Sequence, residues 1–198
     1  MSLDAPPGVW PPLTPDERGD LLRVARDSIR AALRGEGRPA LAVPSPTLAQ
    51  PAAAFVSLHR HGQLRGCVGS LCVERPLWTT VADMARAAAF DDPRFPPLAE
   101  GELRDVDIEI SRLGPLSSVR AEDVVPGRHG VLIRRGKRRG VLLPQVAARH
   151  GWDRETFLAE VCQKAFLPPD AWRFPDTVIE VFEAEVFGED TPAAGPDA

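Results

Sequence analysis

The 198 residues include no tyrosine, three cysteines and four histidines, and lysine is nearly missing: Lys137 and Lys164 stand alone among 24 basic residues, the rest arginine. No apolar run approaches the roughly 20 residues that cross a bilayer, which excludes a membrane helix. The N-terminus, with Asp4 and two early prolines, lacks a signal peptide's basic and apolar regions, so a cytoplasmic location is expected. Three cysteines cannot all pair, and a chain of this length needs no staples, so reduced thiols are expected. No glycine-rich phosphate fingerprint opens a helix, which argues against a dinucleotide fold. A net charge of -4 gives no global attraction to nucleic acid. No cofactor is implied, and no metal: Cys67 and Cys72 have no second cysteine pair beside them, short of a structural zinc site's four ligands, and His59 and His61 read as exposed turn residues.

Proline is plentiful instead, at 21 residues, about twice its usual share of roughly 5%. Residues 1–13 read as an extended proline-rich arm. Thr14-Pro15-Asp16-Glu17 carries a hydroxyl N-cap, a proline at the first helical position and the glutamate of a capping box. Leu21, Leu22, Ala25, Ile29, Ala32 and Leu33 then recur at helical spacing until Gly35 stops the helix. Residues 36–52 form a long loop. Ala54 to His59 and Gln63 to Ser70 make a hairpin about His61-Gly62, Pro76 opens a helix through Phe90, and Val106, Ile108 and Ile110 alternate with polar residues in a half-buried strand. The strand's acidic face is expected to be solvated or paired with arginines.

A second hairpin runs from Gly130 to Arg135 and Arg139 to Leu143, turning at Gly136-Lys137-Arg138. Pro144 to His150 is a short helix ended by Gly151. Asp153 caps the next helix, which buries Phe157, Leu158 and Val161. A last strand, Thr177 to Phe187, switches its apolar face near Val181 and Phe182, and a disordered tail spans 188–198. Residues 53–113 and 130–187 thus echo one another as hairpin, helix, strand. The expected fold is α+β, an antiparallel sheet with packed helices, a single domain over 14–187 of two subdomains.

Two stretches stand out chemically. In Leu64-Arg65-Gly66-Cys67-Val68-Gly69-Ser70, Gly66 and Gly69 weaken a strand and mark a bulge or the close approach of a ligand or another backbone. Cys67 becomes a nucleophile only as thiolate, which a neighbouring cation such as Arg65 favours, provided that no bulge turns the two onto different faces. The competing reading is a small buried hydrophobe. In Asp91-Asp92-Pro93-Arg94-Phe95-Pro96-Pro97, three prolines fix the bend. Asp92 can accept from backbone amides, Arg94 offers a fork for carboxylate or phosphate, and Phe95 either anchors the bend or presents a stacking face. Pairing of Asp92 with Arg94 merely to hold the loop shut explains them equally well.

His129 and Gln145 fall near one end of the second hairpin, where a histidine suits acid–base work. Lys164 ends a helix and complements its dipole. Arg134, Arg135, Lys137, Arg138 and Arg139 crowd the hairpin tip. A patch of this kind could grip RNA phosphates, but no aromatic is interleaved with it, so nucleic acid is disfavoured.

Leu64-Arg65-Gly66-Cys67-Val68-Gly69, Asp92-Pro93-Arg94-Phe95-Pro96-Pro97, His129-Gly130-Val131, Gly140-Val141-Leu142-Leu143-Pro144-Gln145-Val146 and Gly151-Trp152-Asp153 with Phe157-Leu158 together resemble the AMMECR-type domain family, whose bacterial members are called protein A of the AmmeMemoRadiSam system. The likeness covers about residues 20–187. Where the family commonly has Lys-Ala-Gly-Leu, this chain reads Lys164-Ala165-Phe166-Leu167. The resemblance implies the α+β fold with two subdomains and a genomic association with a Memo-like protein and a radical SAM enzyme. It supplies no reaction.

The resulting expectation is a cleft for a small anionic ligand, lined by Arg65, Gly66, Cys67, Gly69, Ser70, Asp92, Arg94, Phe95, His129, Gln145 and Lys164. Cys67, with His129, would be its reactive centre if the chain is an enzyme. Its rival is a non-catalytic adaptor that docks the Memo-like or radical SAM partner, and a third reading is RNA binding through residues 134–139.

Overall fold

The computed structural model describes residues 10–37 and 45–189. Most of the expected proline-rich arm, part of the long loop and the tail from residue 190 lie outside them. The described chain forms two compact units, one comprising residues 11–113 and 185–189 and the other Trp10 and Gly114–Ala184.

The first unit begins with α1 (Pro15–Leu33), started by the expected box: Thr14 Oγ1 accepts from the Glu17 amide at 3.2 Å, and Glu17 Oε2 accepts from the Thr14 amide at 3.0 Å. Satisfying two of the helix's free amides in this way holds its start in register. Its inward stripe, Leu21, Val24, Ala25 and Ile29, is buried. The hairpin β1 (Ala54–Arg60) and β2 (Gln63–Ser70) follows, then α2 (Leu77–Phe90), a short 3-10 helix at Glu100–Asp105, and β3 (Val106–Leu113). The core is the apolar alternation of β1 and β3, Val56, Leu58, Ile108 and Ile110, closed by Leu77, Val81 and Ala85 of α2.

The second unit holds β4 (Ser117–Ser118), the hairpin β5 (Gly130–Arg135) and β6 (Arg138–Leu142), α3 (Pro144–His150), α4 (Arg154–Lys164) and β7 (Val178–Phe182). Asp153 caps α4 by accepting from the Thr156 amide at 2.8 Å, and Phe157, Leu158 and Val161 are buried as expected. The hairpin turn is one residue shorter than expected, because Arg135 pairs directly with Arg138.

The expected last strand is two strands. Val178–Phe182 joins β5 in the second unit, and after Glu183 the chain continues as β8 (Ala184–Gly188) beside β3 of the first. The switch of apolar face near Val181 and Phe182 therefore marks a change of sheet. Gly188 and Glu189 do not belong to a tail: Gly188 ends β8, and Glu189 accepts from the Ile108 amide at 2.9 Å and from Arg26 Nε at 2.7 Å.

The two sheets run β2-β1-β3-β8 and β6-β5-β7-β4. The expected echo is thus a shared strand order, with hairpin, then the strand after the helices, then a fourth strand. It extends to one packing device. A Cβ on Gly66 of β2 would meet the Ala88 carbonyl oxygen of α2 at 2.1 Å, and one on Gly140 of β6 would meet the Ala165 amide and Val161 carbonyl at 2.6 and 2.7 Å. In each unit a glycine in the hairpin's second strand lets a helix backbone lie against the sheet.

Candidate functional site

β2 is an edge strand, and the Asp92-Pro93-Arg94 bend closes that edge. The Cys67 amide donates to Asp92 Oδ2 at 2.8 Å, while Arg94 Nη2 donates to the Cys67 carbonyl at 3.2 Å. Both backbone groups of Cys67 are therefore satisfied from outside the sheet, as a neighbouring strand would satisfy them. Asp92 in turn accepts from Arg94 three times: from its amide at 3.1 Å, Nε at 2.9 Å and Nη2 at 2.7 Å. Its side chain is 3% exposed, and these bonds from Arg94, with the Cys67 amide, hold its carboxyl far below the usual carboxylate range despite burial.

Since the backbone of Cys67 points outward, Cys67 and Ser57 opposite it on β1 form the closer kind of antiparallel pair. The buried Ser57 hydroxyl donates to Cys67 Sγ at 3.2 Å, and the cysteine itself is half-buried. Cys72 is exposed; Cys162 is buried, which pushes its thiol up.

The expected partnership of Arg65 with Cys67 does not form. Leu58 pairs with Gly66 and His59 with Leu64, so Arg65 is the extra residue of a bulge. Its guanidinium grips Glu102 through Nε at 3.2 Å and Nη2 at 3.0 Å and is 12% exposed. Glu102 also accepts from Arg60 at 3.0 Å and from the Ala99 amide at 2.9 Å; Arg65 first, then the Ala99 amide, bring its pKa down to about 2. Arg65 is a neutralised strut.

The glycines have structural reasons. Gly66 admits α2, and Gly69 is covered by the ring of its cross-strand partner Phe55, whose Cγ would lie 2.1 Å from an added Cβ. Ser70 Oγ accepts from the Cys72 amide at 3.1 Å. Phe95 is half-buried, with Arg94 over its ring at 5.5 Å. The structure thus brings Arg65, Gly66, Cys67, Gly69, Ser70, Asp92, Arg94 and Phe95 into one unit. Glu102 and Ser57 were missed; the only sequence signal was a hydroxyl within the apolar run of β1.

His129, Gln145 and Lys164 belong to the other unit. His129 Nδ1 accepts from the Val125 amide at 3.2 Å, and burial, then the Arg128 charge, lower its pKa. Gln145 sits in the first turn of α3, three residues beyond the end of β6, near the β5 start that His129 precedes. Lys164 is exposed at the last position of α4.

The AMMECR1 family model matches residues 22–187. The chain belongs to the AMMECR1 family. A protein of Methanothermobacter thermautotrophicus is 40% identical over 189 residues, covering 91% of this chain and 98% of its own. Protein PF1979 of Pyrococcus furiosus is 41% identical over 191 residues, covering 89% and 90%. The crystal structure of the uncharacterized protein PH0010 from Pyrococcus horikoshii superposes with a TM-score of 0.87 at 36% identity, covering 91% of this chain and 95% of that one. The α+β architecture of this AMMECR1-family chain is therefore that of a solved relative. Among the described residues no helix is long and apolar enough to cross a membrane, and no cluster of three metal-ligating side chains occurs.

Proposed function

We propose that the chain works in the cytoplasm and binds a small anionic ligand, a carboxylate or phosphate, against Arg94 beside the Cys67 thiol. One observation supports this reading: Arg94 is tied to Asp92 and to the Cys67 carbonyl, yet its side chain stays 55% exposed. A guanidinium already held in place loses little freedom when an anion binds its open side. Cys67 lines this site, and a covalent step would run through its sulfur, with Ser57 donating to it. Arg65 contributes support, not charge.

The second reading, an adaptor that docks a Memo-like or radical SAM partner, is favoured by the internal neutralisation of Arg65 and Arg94 and by the exposed Leu64 near the start of β2 and Val73 in the loop after it.

Alkylation followed by mass spectrometry separates the two. Screened against small carboxylates and phosphates, a ligand is expected to slow modification of Cys67 but not of Cys72, and Arg94→Lys, which keeps the charge and loses the fork, is expected to weaken that protection. If no anion protects Cys67 while the intact partner protein does, the adaptor reading replaces the ligand site.

A further inference from the structure

The tip of the second hairpin carries charge that the fold leaves uncompensated. Arg134 meets Glu180 at 2.7 Å and Arg135 meets Asp176 at 2.9 Å. Lys137, Arg138 and Arg139 have no carboxylate partner among the described residues. Three positive charges therefore stand together on a chain whose net charge is -4.

Tertiary structure adds the aromatic that the sequence does not interleave. The Arg138 guanidinium donates to the carbonyl of Phe166, a residue that is 84% exposed. Arg135 and Arg138, opposite each other, lie two residues from Ile133 and Gly140 and share their face of the sheet, the one that α4 covers. On that face Arg135 also stacks on Phe174, 4.6 Å from the ring centroid.

Phe166 occupies its place against local preference. After α4 the Phe166 amide donates to the Gln163 carbonyl and the Leu167 amide to the Cys162 carbonyl, both at 2.9 Å, and Leu167 is buried. This pattern needs a left-handed residue, commonly glycine, between them, and Phe166 takes φ +57°. Any side chain there strains the backbone, and this one is left mostly exposed.

We propose that this corner is a docking surface for single-stranded nucleic acid, with Lys137 and Arg138 on phosphates and Phe166 stacked on a base; Arg139, paired with Arg134, lies on the opposite face of the sheet. An acidic peptide would satisfy the cations but leave the exposed ring without a planar partner, whereas unpaired bases offer both chemistries. The inference stands independently of the anion site at Arg94.

The test is fluorescence anisotropy of the full chain with labelled oligo(U) and oligo(dT) of about 12 nucleotides, a length within reach of one binding face. Binding is expected to weaken with salt at a log–log slope of about -1.4, from two phosphates at roughly -0.7 each. Lys137→Ala should make that slope shallower by about 0.7, whereas Arg139→Ala, on the opposite face, should leave it unchanged. Phe166→Gly should weaken binding about tenfold without lowering the thermal midpoint, so unfolding cannot explain the loss, and Phe166→Trp should restore it. Tighter binding of oligo(U) would assign RNA and of oligo(dT) DNA. The proposal is overturned if a polyglutamate peptide of equal length binds as tightly as both oligomers, or if Phe166→Gly leaves affinity unchanged.

Discussion

At the level of single residues, two carboxylates hold arginines in place around β2: Asp92 holds Arg94 and Glu102 holds Arg65. Asp92 and Arg94 were legible because an acid, a proline and an arginine in a stiff bend have few ways to arrange themselves. Glu102 was not, because nothing local tells a surface glutamate that a guanidinium 37 positions earlier will reach it. Both carboxylates make the same pH prediction. A carboxyl with a depressed folded pKa contributes stability that is full above its unfolded pKa and is lost as pH falls through the folded one. For Glu102 that window runs from about 4.5 down to about 2, and Asp92 loses its contribution in the same direction at still lower pH. Urea titrations across this range are expected to show a shallower acid loss for Glu102→Gln than for the parent chain. Asp92→Asn is expected to destabilise by about 1–3 kcal/mol at neutral pH, since charge-assisted bonds to Arg94 and the Cys67 amide are weakened in a buried place. Phe166→Gly should do the opposite, raising stability by about 1 kcal/mol as the left-handed strain is relieved, read as a higher urea midpoint with unchanged slope.

Elements were more legible than their contacts. The capping box, the hairpins and the cap at Asp153 are written in neighbouring residues, where short-range sterics and hydrogen bonds decide. A bulge in β2 was one reading of its glycines, but its place at Arg65 was not legible, because register depends on the strand opposite. Of the two readings of the β2 glycines, close approach describes both: a helix backbone approaches Gly66 and the Phe55 ring approaches Gly69. Gly66→Ala is accordingly expected to push α2 off the sheet and to cost about 1–3 kcal/mol. Gly101→Ala, with nothing within 4 Å of its added Cβ, serves as the neutral control. Equal losses for the two in thermal melts would show that backbone freedom, not the helix contact, explains Gly66.

For the whole molecule, the last described segment matters most, since β7 serves one unit and β8 the other. Glu185 accepts from the Leu13 amide at 3.0 Å and from Arg18 Nε at 3.0 Å, and it meets the nearly buried Arg112 at 3.4 Å, while Glu189 holds Arg26. A chain ending at Glu183 would leave three arginines, Arg18, Arg26 and Arg112, without these carboxylates and β3 without its outer neighbour. Hydrogen exchange of the β3 amides, Ile108 first, is expected to accelerate in that truncation while β5 amides keep their protection. Unchanged exchange at Ile108 would mean that β8 is dispensable to the unit of residues 11–113.

The sequence by itself determined the α+β class, the order of nearly every element, the family and the motif residues, because periodicity, caps and prolines act over a few residues. Only the tertiary structure decided that Arg65 is spent on Glu102, that Asp92 and Arg94 cap a sheet edge at Cys67, and that Phe166 stands exposed beside Arg138. Each of these joins residues far apart in the chain, and which charges end up neutralised depends on which side chains the packing brings within a few ångströms.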